Sequence, residues 1–462
     1  NILMHRVGSY PATVNSHVRT LLAEPLLAIN ANELSLTPTM SGISDAKKII
    51  WEAPKELPRD LRQFLSRYVS QLLEIQQFVG DSRTASCCDF GIILKEITEG
   101  GSFFPELEKF ATSVRQDNLD KAIASFISFN ELSVGKMKSL DLDRFSAIAP
   151  MSFNSPIGRV RMYGTNDDWH ETGPGLILDF GGDDKYRRSV TSAGEISVVI
   201  DVRGDDKYNG IDTSLGGVAI LTDLTGDDRY FSPESGLGAS IGGLSWLQDQ
   251  FGDDHYSAAY FGLGAAVAGF GTVIDKEGDD EYHVKSFGQG FGGPFGYGAL
   301  HDFDGNDDYF AAGGLEDRFA RGSGTLSYAQ GVGAGFGPKF PGGIGTLRDA
   351  SGNDSYFAEM FAQGQGYFFG LGILEDNGGN DTYTSMRYGQ GQGSFAGVGL
   401  LSDLDGNDDY QLDVGAGQGM GLDTAIGVLV DFEGDDRYSS VSLAQGSSTG
   451  NGFGLLGDAG GR

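Results

Sequence analysis

Cysteine is nearly missing from this chain of 462 residues: the two present, Cys87 and Cys88, are neighbours. Adjacent cysteines do not make a disulfide framework, and no CxxC or His/Cys spacing for zinc occurs, so both read as packing residues. Long apolar runs are missing too. None reaches 18 residues, and the short run at Leu21–Ile29 is interrupted by Pro25, so no transmembrane helix is expected. Histidine is sparse (His5, His17, His170, His255, His283, His301) and shows no HExxH spacing. No GxSxG, P-loop or dinucleotide fingerprint lies in a strand–helix context. Positive charge is the last scarcity: 33 Lys and Arg face 64 Asp and Glu, a net of −31. The imbalance lies beyond residue 150, where 17 basic residues meet 46 acidic ones. Such a surface disfavours nucleic acid and anionic membrane as partners and favours cations or basic surfaces. No signal peptide is visible, and Asn1 as first residue suggests a processed or truncated chain.

Glycine, by contrast, makes up 66 of the 312 residues from Met151 onward, which argues against helix there. It belongs to a repeat, G-x-G-x-L-x-D-x-x-G-[D/N]-D-x-Y, seen complete in Gly397–Tyr410. Its leading Asp falls at Asp179, Asp201, Asp223, Asp249, Asp275, Asp302, Asp349, Asp376, Asp403, Asp431 and Asp458, mostly 22 to 28 residues apart. A fixed period of that size marks a solenoid or array. Before each Asp, apolar residues alternate, as in Ile426, Val428 and Val430, which reads as a strand. The G-D-D or G-N-D after it is turn chemistry, and Tyr restarts an extended segment. Gln289, Gln363, Gln390 and Gln445 each follow their Asp by 14 residues, Gln418 by 15. Two unlike markers at constant spacing mean that every coil presents the same faces in the same order. We expect an all-β parallel β-solenoid (β-helix) of about eleven coils over 151–462, behind a helical N-terminal domain over 1–150.

Stacked coils line up their aspartates. Unit charges about 5 Å apart repel by roughly 0.8 kcal/mol in water and about 3 at an effective dielectric of 20, so the columns need compensation. The first residue of the pair varies between Asp (Asp183, Asp205, Asp227, Asp253, Asp279, Asp435) and Asn (Asn306, Asn353, Asn380, Asn407), so it needs an oxygen rather than a charge. The second is always Asp: Asp184, Asp206, Asp228, Asp254, Asp280, Asp307, Asp354, Asp381, Asp408 and Asp436. Together with the leading residues Asp179 to Asp431 these are the candidate metal ligands, most naturally for Ca²⁺. The competing account has each carboxylate bound to amides of its own turn, with solvent screening the charge. Gly378-Gly379-Asn380-Asp381-Thr382-Tyr383 resembles the RTX family of Gly/Asp-rich calcium-binding repeats, as do Gly352–Tyr356 and Gly406–Tyr410. RTX repeats recur every nine residues, against 22 to 28 here. The resemblance implies Ca²⁺ held between adjacent turns in a secreted protein that folds outside the cell.

Upstream, Leu61, Phe64, Leu65, Tyr68, Leu72, Leu73, Ile75 and Phe78 have helical spacing, and further helices are expected near Phe90–Thr98, Pro105–Gln116 and Leu119–Phe129, with Asn118 as a cap. Thr165–Trp169 reads as a degenerate first copy with Trp for Tyr, and the helices as a cover for that end of the solenoid. The gap of 47 residues between Asp302 and Asp349 predicts an insertion over 311–341, with 311–328 bulging outward and a smaller bulge at Pro338–Pro341. A protein partner or self-assembly is expected through the helical domain, the insertion or the open end at Asp458–Arg462; polysaccharide is a further candidate. The expected function is a non-enzymatic, calcium-binding surface, matrix or complex-assembly protein, secreted, periplasmic or at the cell surface. The alternative is a carbohydrate-active β-helix enzyme, lyase or hydrolase, with His301 and Arg348 as the residues that break the pattern.

Overall fold

Alternation in the repeat becomes sidedness in the structure. In this computed structural model, residues 50–81, 92–93, 95–96, 105–113, 116–138, 140, 142–145 and 150–461 are described, except 188–190, 193, 211–212, 317–323 and 338. Cys87, Cys88, Leu21–Ile29 and most of the expected helix at Phe90–Thr98 lie outside them. From Gly158 onward, equivalent strands of successive coils pair in parallel and in register, forming a β-solenoid.

Each coil has three faces. The first sheet runs from Met151–Ser155 to Phe453–Asp458, starting with an antiparallel hairpin and parallel thereafter. The second carries the strands that begin around the repeat Tyr, from Trp169–Glu171 to Arg437–Ser440. The third is narrow, made of pieces such as Ala239–Ile241 and Gly366–Tyr367. Strand Ile426–Asp431 turns Gly427, Leu429 and Asp431 inward and Ile426, Val428 and Val430 outward. The inward Leu position stacks as Val199, Leu221, Leu247, Val273, Leu300, Leu347, Leu374, Leu401 and Leu429, all buried. The inward Gly position has no room for a side chain: a Cβ on Gly427 would lie 2.0 Å from the Met420 carbonyl oxygen across the coil. Ten tyrosines, Tyr186 to Tyr438, form a second ladder with ring centroids 4.6–4.9 Å apart.

The glutamines make a third ladder. Gln289, Gln330, Gln363, Gln390, Gln418 and Gln445 all adopt φ of 47–61° at the corner between the second and third sheets. The Gln363 amide donates to the carbonyls of Tyr356 (3.1 Å) and of Thr384 in the next coil (3.0 Å), stitching coil to coil. The extra residue before Gln418 is absorbed where the strand register shifts between Leu412 and Gly415.

Four helices are described: α1 (Arg59–Asp81), α2 (Pro105–Ser113), α3 (Gln116–Lys138) and α4 (Leu142–Phe145). The third is longer than its periodicity suggests and begins at Gln116, which places Asn118 inside the helix instead of at its cap. The helices pack against the first strands and early coils of the solenoid. Leu61, Leu65, Leu72, Phe126 and Phe145 share one core with Val198, Ile220, Trp246 and Phe270 on the outer face of the first sheet. Phe126 meets the rings of Trp246 and Phe270 edge-on at 5.9 and 6.3 Å. Those early coils carry large apolar side chains on both sides of the sheet, which is why the helices settle there.

The insertion leaves the second sheet after Ala311, pairs Leu315 and Glu316 antiparallel with Leu326 and Thr325, and rejoins the sheet as Thr325–Ala329, which pairs with Ser355–Ala362; the centre of the bulge expected over 311–328 lies outside the described residues. Ser327 donates to the Ala311 carbonyl at 2.7 Å and closes the neck.

Candidate metal centre

At the end of each first-sheet strand the leading Asp points inward. One oxygen accepts the amide N–H two residues on, as in Arg203 to Asp201 (3.0 Å), Phe251 to Asp249 (3.1 Å) and Gly378 to Asp376 (2.9 Å). Its other oxygen accepts the hydroxyl of the preceding coil's Tyr: Tyr230 to Asp249 at 2.5 Å, Tyr309 to Asp349 at 2.6 Å, Tyr383 to Asp403 at 2.7 Å. Tyr186 and Tyr208 serve Asp201 and Asp223 in the same way. The tyrosine is thus a member of the site, a role that its constant spacing from Asp alone did not disclose.

The second Asp also splits its oxygens. One accepts the backbone N–H of the equivalent Asp in the preceding coil, for example Asp206 to Asp228 (2.6 Å), Asp280 to Asp307 (2.7 Å) and Asp381 to Asp408 (2.7 Å). The other faces the interior. In Asp307, Asp354, Asp381 and Asp408 that oxygen is buried with no hydrogen-bond partner, and each of these residues is at most 2 % exposed; in Asp206, Asp228, Asp254 and Asp280 it accepts only a long bond of 3.3–3.4 Å from the coil's own Tyr hydroxyl.

These inward oxygens converge between coils. Asp184, Asp201 and Asp206 offer three oxygens within 4.8 Å of one another, as do Asp206, Asp223 and Asp228, and Asp228, Asp249 and Asp254. Further along, Asp275 faces Asp280, Asp302 faces Asp307, and Asp349, Asp376, Asp403 and Asp431 each interact with Asp354, Asp381, Asp408 and Asp436 respectively. The candidate ligands therefore come together in layers, each drawing on two successive coils. At an effective dielectric of 20, three ionised carboxylates that close would repel by roughly 3 kcal/mol per pair, well above the roughly 1 kcal/mol of a tyrosine stack. Solvent screening cannot relieve it, because the columns are buried from Asp179 to Asp431 and from Asp184 to Asp408. The competing account of solvent-screened charge therefore does not hold for the buried layers, although turn amides do take one oxygen of Asp179, Asp201, Asp223, Asp249, Asp302, Asp349 and Asp376.

Burial accordingly holds protons on the layers. It raises Asp249 to about 6 and Asp254, aided by the neighbouring Asp249 charge, to about 11. Burial, then the charge of Asp302, raises Asp307 to about 10, and burial with the charge of Asp201 raises Asp206 to about 9. Each layer must hold a proton or another cation.

The variable first position lies outside. Asp253 donates its N–H to Asp227 (3.1 Å), while Asn353 donates both backbone and side-chain N–H to the Asn306 oxygen at 3.0 and 2.9 Å. Only an acceptor is needed, which explains the Asp/Asn exchange.

The first layer differs. Strand register pairs His170 with Tyr186 and Trp169 with Lys185, so His170, and not Trp169, stands at the head of the tyrosine ladder. The degenerate copy is therefore one residue further on than Thr165–Trp169 suggests, and Trp169 is 72 % exposed. The His170 ring stacks on Tyr186 at 4.7 Å, and its Nε2 lies 3.0 Å from Asp179 and 3.8 Å from Asp184. Burial opposes its charge, but the two carboxylates outweigh burial and raise it to about 9. An imidazolium closes the column at this end.

His301 and Arg348 occupy one outward column of the first sheet. Arg348 pairs with Glu375 at 3.4 Å; burial, Arg348 and Lys276 push His301 down to about 3. Two shallow clefts of about 380 and 390 Å³ open on the acidic corner, lined by residues such as Asp253, Asp279 and Asn306, or Asn380 and Asn407, and by neither His301 nor Arg348. No helix among the described residues is long and apolar enough to cross a membrane. No protein-family model, curated protein or solved structure matches this chain. The class of protein defined by fold and site is an acidic parallel β-solenoid with internal aspartate layers.

Proposed function

We propose that the chain is a non-enzymatic calcium-binding β-solenoid whose layers each hold a cation between two coils. The observation that carries this reading is the inward, buried, partnerless oxygen of the second Asp in successive coils from Asp307 to Asp408. The donors are oxygens throughout, three carboxylates with a tyrosine hydroxyl beside them, which suits a hard cation. Bound Ca²⁺ would supply the positive charge that protons otherwise provide. The residues that would hold it are Asp201, Asp206, Asp223, Asp228, Asp249, Asp254 and their successors through Asp431 and Asp436, with Asp179 and Asp184 sharing theirs with His170.

A chain that needs calcium to complete its interior belongs where calcium is millimolar, as in extracellular modules. The role is that of an exported surface, matrix or assembly component, with the helices, the insertion or the C-terminal coil meeting a protein partner or polysaccharide.

Metal analysis and melting of the purified chain test this. We expect several calcium ions per chain and a melting temperature that falls with chelator and returns with calcium. A chain free of calcium at saturating concentration, with melting indifferent to chelator, would show that protons alone fill the layers.

A further inference from the structure

Outside the aspartate layers, two of the six histidines meet on the solvent face of the second sheet. His255 heads strand His255–Tyr260, and Glu281 and His283 lie on its parallel neighbour, Glu281–Ser286. Because Tyr256 and Tyr282 point inward, the residues on either side of them point out. Register places His255 beside Glu281 and Ser257 beside His283. His255 Nδ1 is 2.9 Å from the Glu281 carboxylate, and the two imidazoles are 5.3 Å apart. One ligand atom from each of the three lies within 4.8 Å of the others.

We propose that His255, Glu281 and His283 form a surface site for a borderline divalent cation of the zinc class. Two imidazoles and one carboxylate are a zinc, nickel or copper donor set; calcium and magnesium take oxygen instead. The solenoid fixes the triad without a loop. Glu281 and His283 share one strand face, and the next coil's Phe310 packs against His283 at 5.5 Å and limits its swing. Arg229 precedes His255 in the same column, and Asp308 follows Glu281. The acidic corner beside them, with Asp253 and Asp279, offsets the arginine. With His255 and Glu281 at 41 % and 59 % side-chain exposure, the remaining coordination positions face solvent. They are open to water or to a donor from a partner. The site is independent of the calcium reading, since it shares no ligand with the layers.

The test is zinc titration of the full chain by calorimetry with calcium in excess, and cobalt(II) as the spectroscopic probe. One zinc ion per chain is expected, with visible cobalt bands. His255→Gln and His283→Gln should each weaken zinc binding by at least the roughly tenfold that loss of a metal's outer partner costs, and the double variant should abolish the cobalt bands. These residues are on the surface, so folding should persist; circular dichroism and an unchanged calcium uptake check it and keep this outcome separate from that of the layers. Absence of zinc binding in the wild-type chain, or wild-type zinc affinity in the folded double variant, overturns the proposal.

Discussion

Two neighbouring residues of the repeat, alike in sequence, have opposite fates. Asn353 is exposed and uses its oxygen as an acceptor for the next Asn; Asp354 is 2 % exposed, with one oxygen on the Asp307 amide and one facing the layer. Asp354 interacts with both Asp307 and Asp376, so it serves two layers. We expect Asp354→Asn to keep the Asp307 hydrogen bond yet lower the calcium bound by at least one ion per chain, whereas Asn353→Asp leaves uptake unchanged. Equilibrium dialysis measures both. The restriction of the second position to Asp was legible in sequence; the reason, an oxygen buried between coils, was not.

The coil corner is the element on which the columns depend. Gly252 has φ +150°, and a Cβ there would sit 1.5 Å from the Gly226 carbonyl oxygen of the previous coil. Coils approach so closely at this corner because the second-Asp amide must reach the carboxylate of the next coil. Gly252→Ala should therefore destabilise by about 3 kcal/mol or more, as backbone strain joins a steric clash that the neighbour cannot relieve. Chemical denaturation followed by circular dichroism reads the change. Repeated glycine at this corner was readable as turn chemistry, whereas the clash needed the neighbouring coil. The insertion follows the same logic: its length was legible, but the return of Thr325–Ala329 to the sheet depended on pairing with Met360 and Ala362 of the next coil.

Across the whole molecule, the layers couple stability to pH. The folded-state values of Asp249 (about 6), Asp228 (about 8) and Asp381 (about 9) are raised, first by burial, above the ordinary carboxyl range near 4. Such groups hold more protons folded than unfolded, so their stabilisation is full below about pH 4 and is lost as pH rises through 6 to 9. Each carboxyl that titrates in this window contributes a slope of about 1.4 kcal/mol per pH unit. The chelated chain should melt at progressively lower temperature from pH 5 to 9, and calcium should flatten that profile. A melting temperature that rises over the range without metal would contradict the buried layers.

The sequence by itself determined the period, the strand alternation, the order of faces and the invariant Asp, because each is local chemistry repeated at fixed spacing. It could not set which side of the alternation was the interior, since the first coils are apolar on both. Nor did it disclose that Tyr donates to the next coil's Asp, that His170 heads the ladder, or that α1 and α3 lie along the sheet. Those contacts join residues of different coils, or of helix and coil. Their geometry exists only once parallel register brings the coils a few ångströms apart, and burial then turns a solvated carboxylate into a group that must be neutralised.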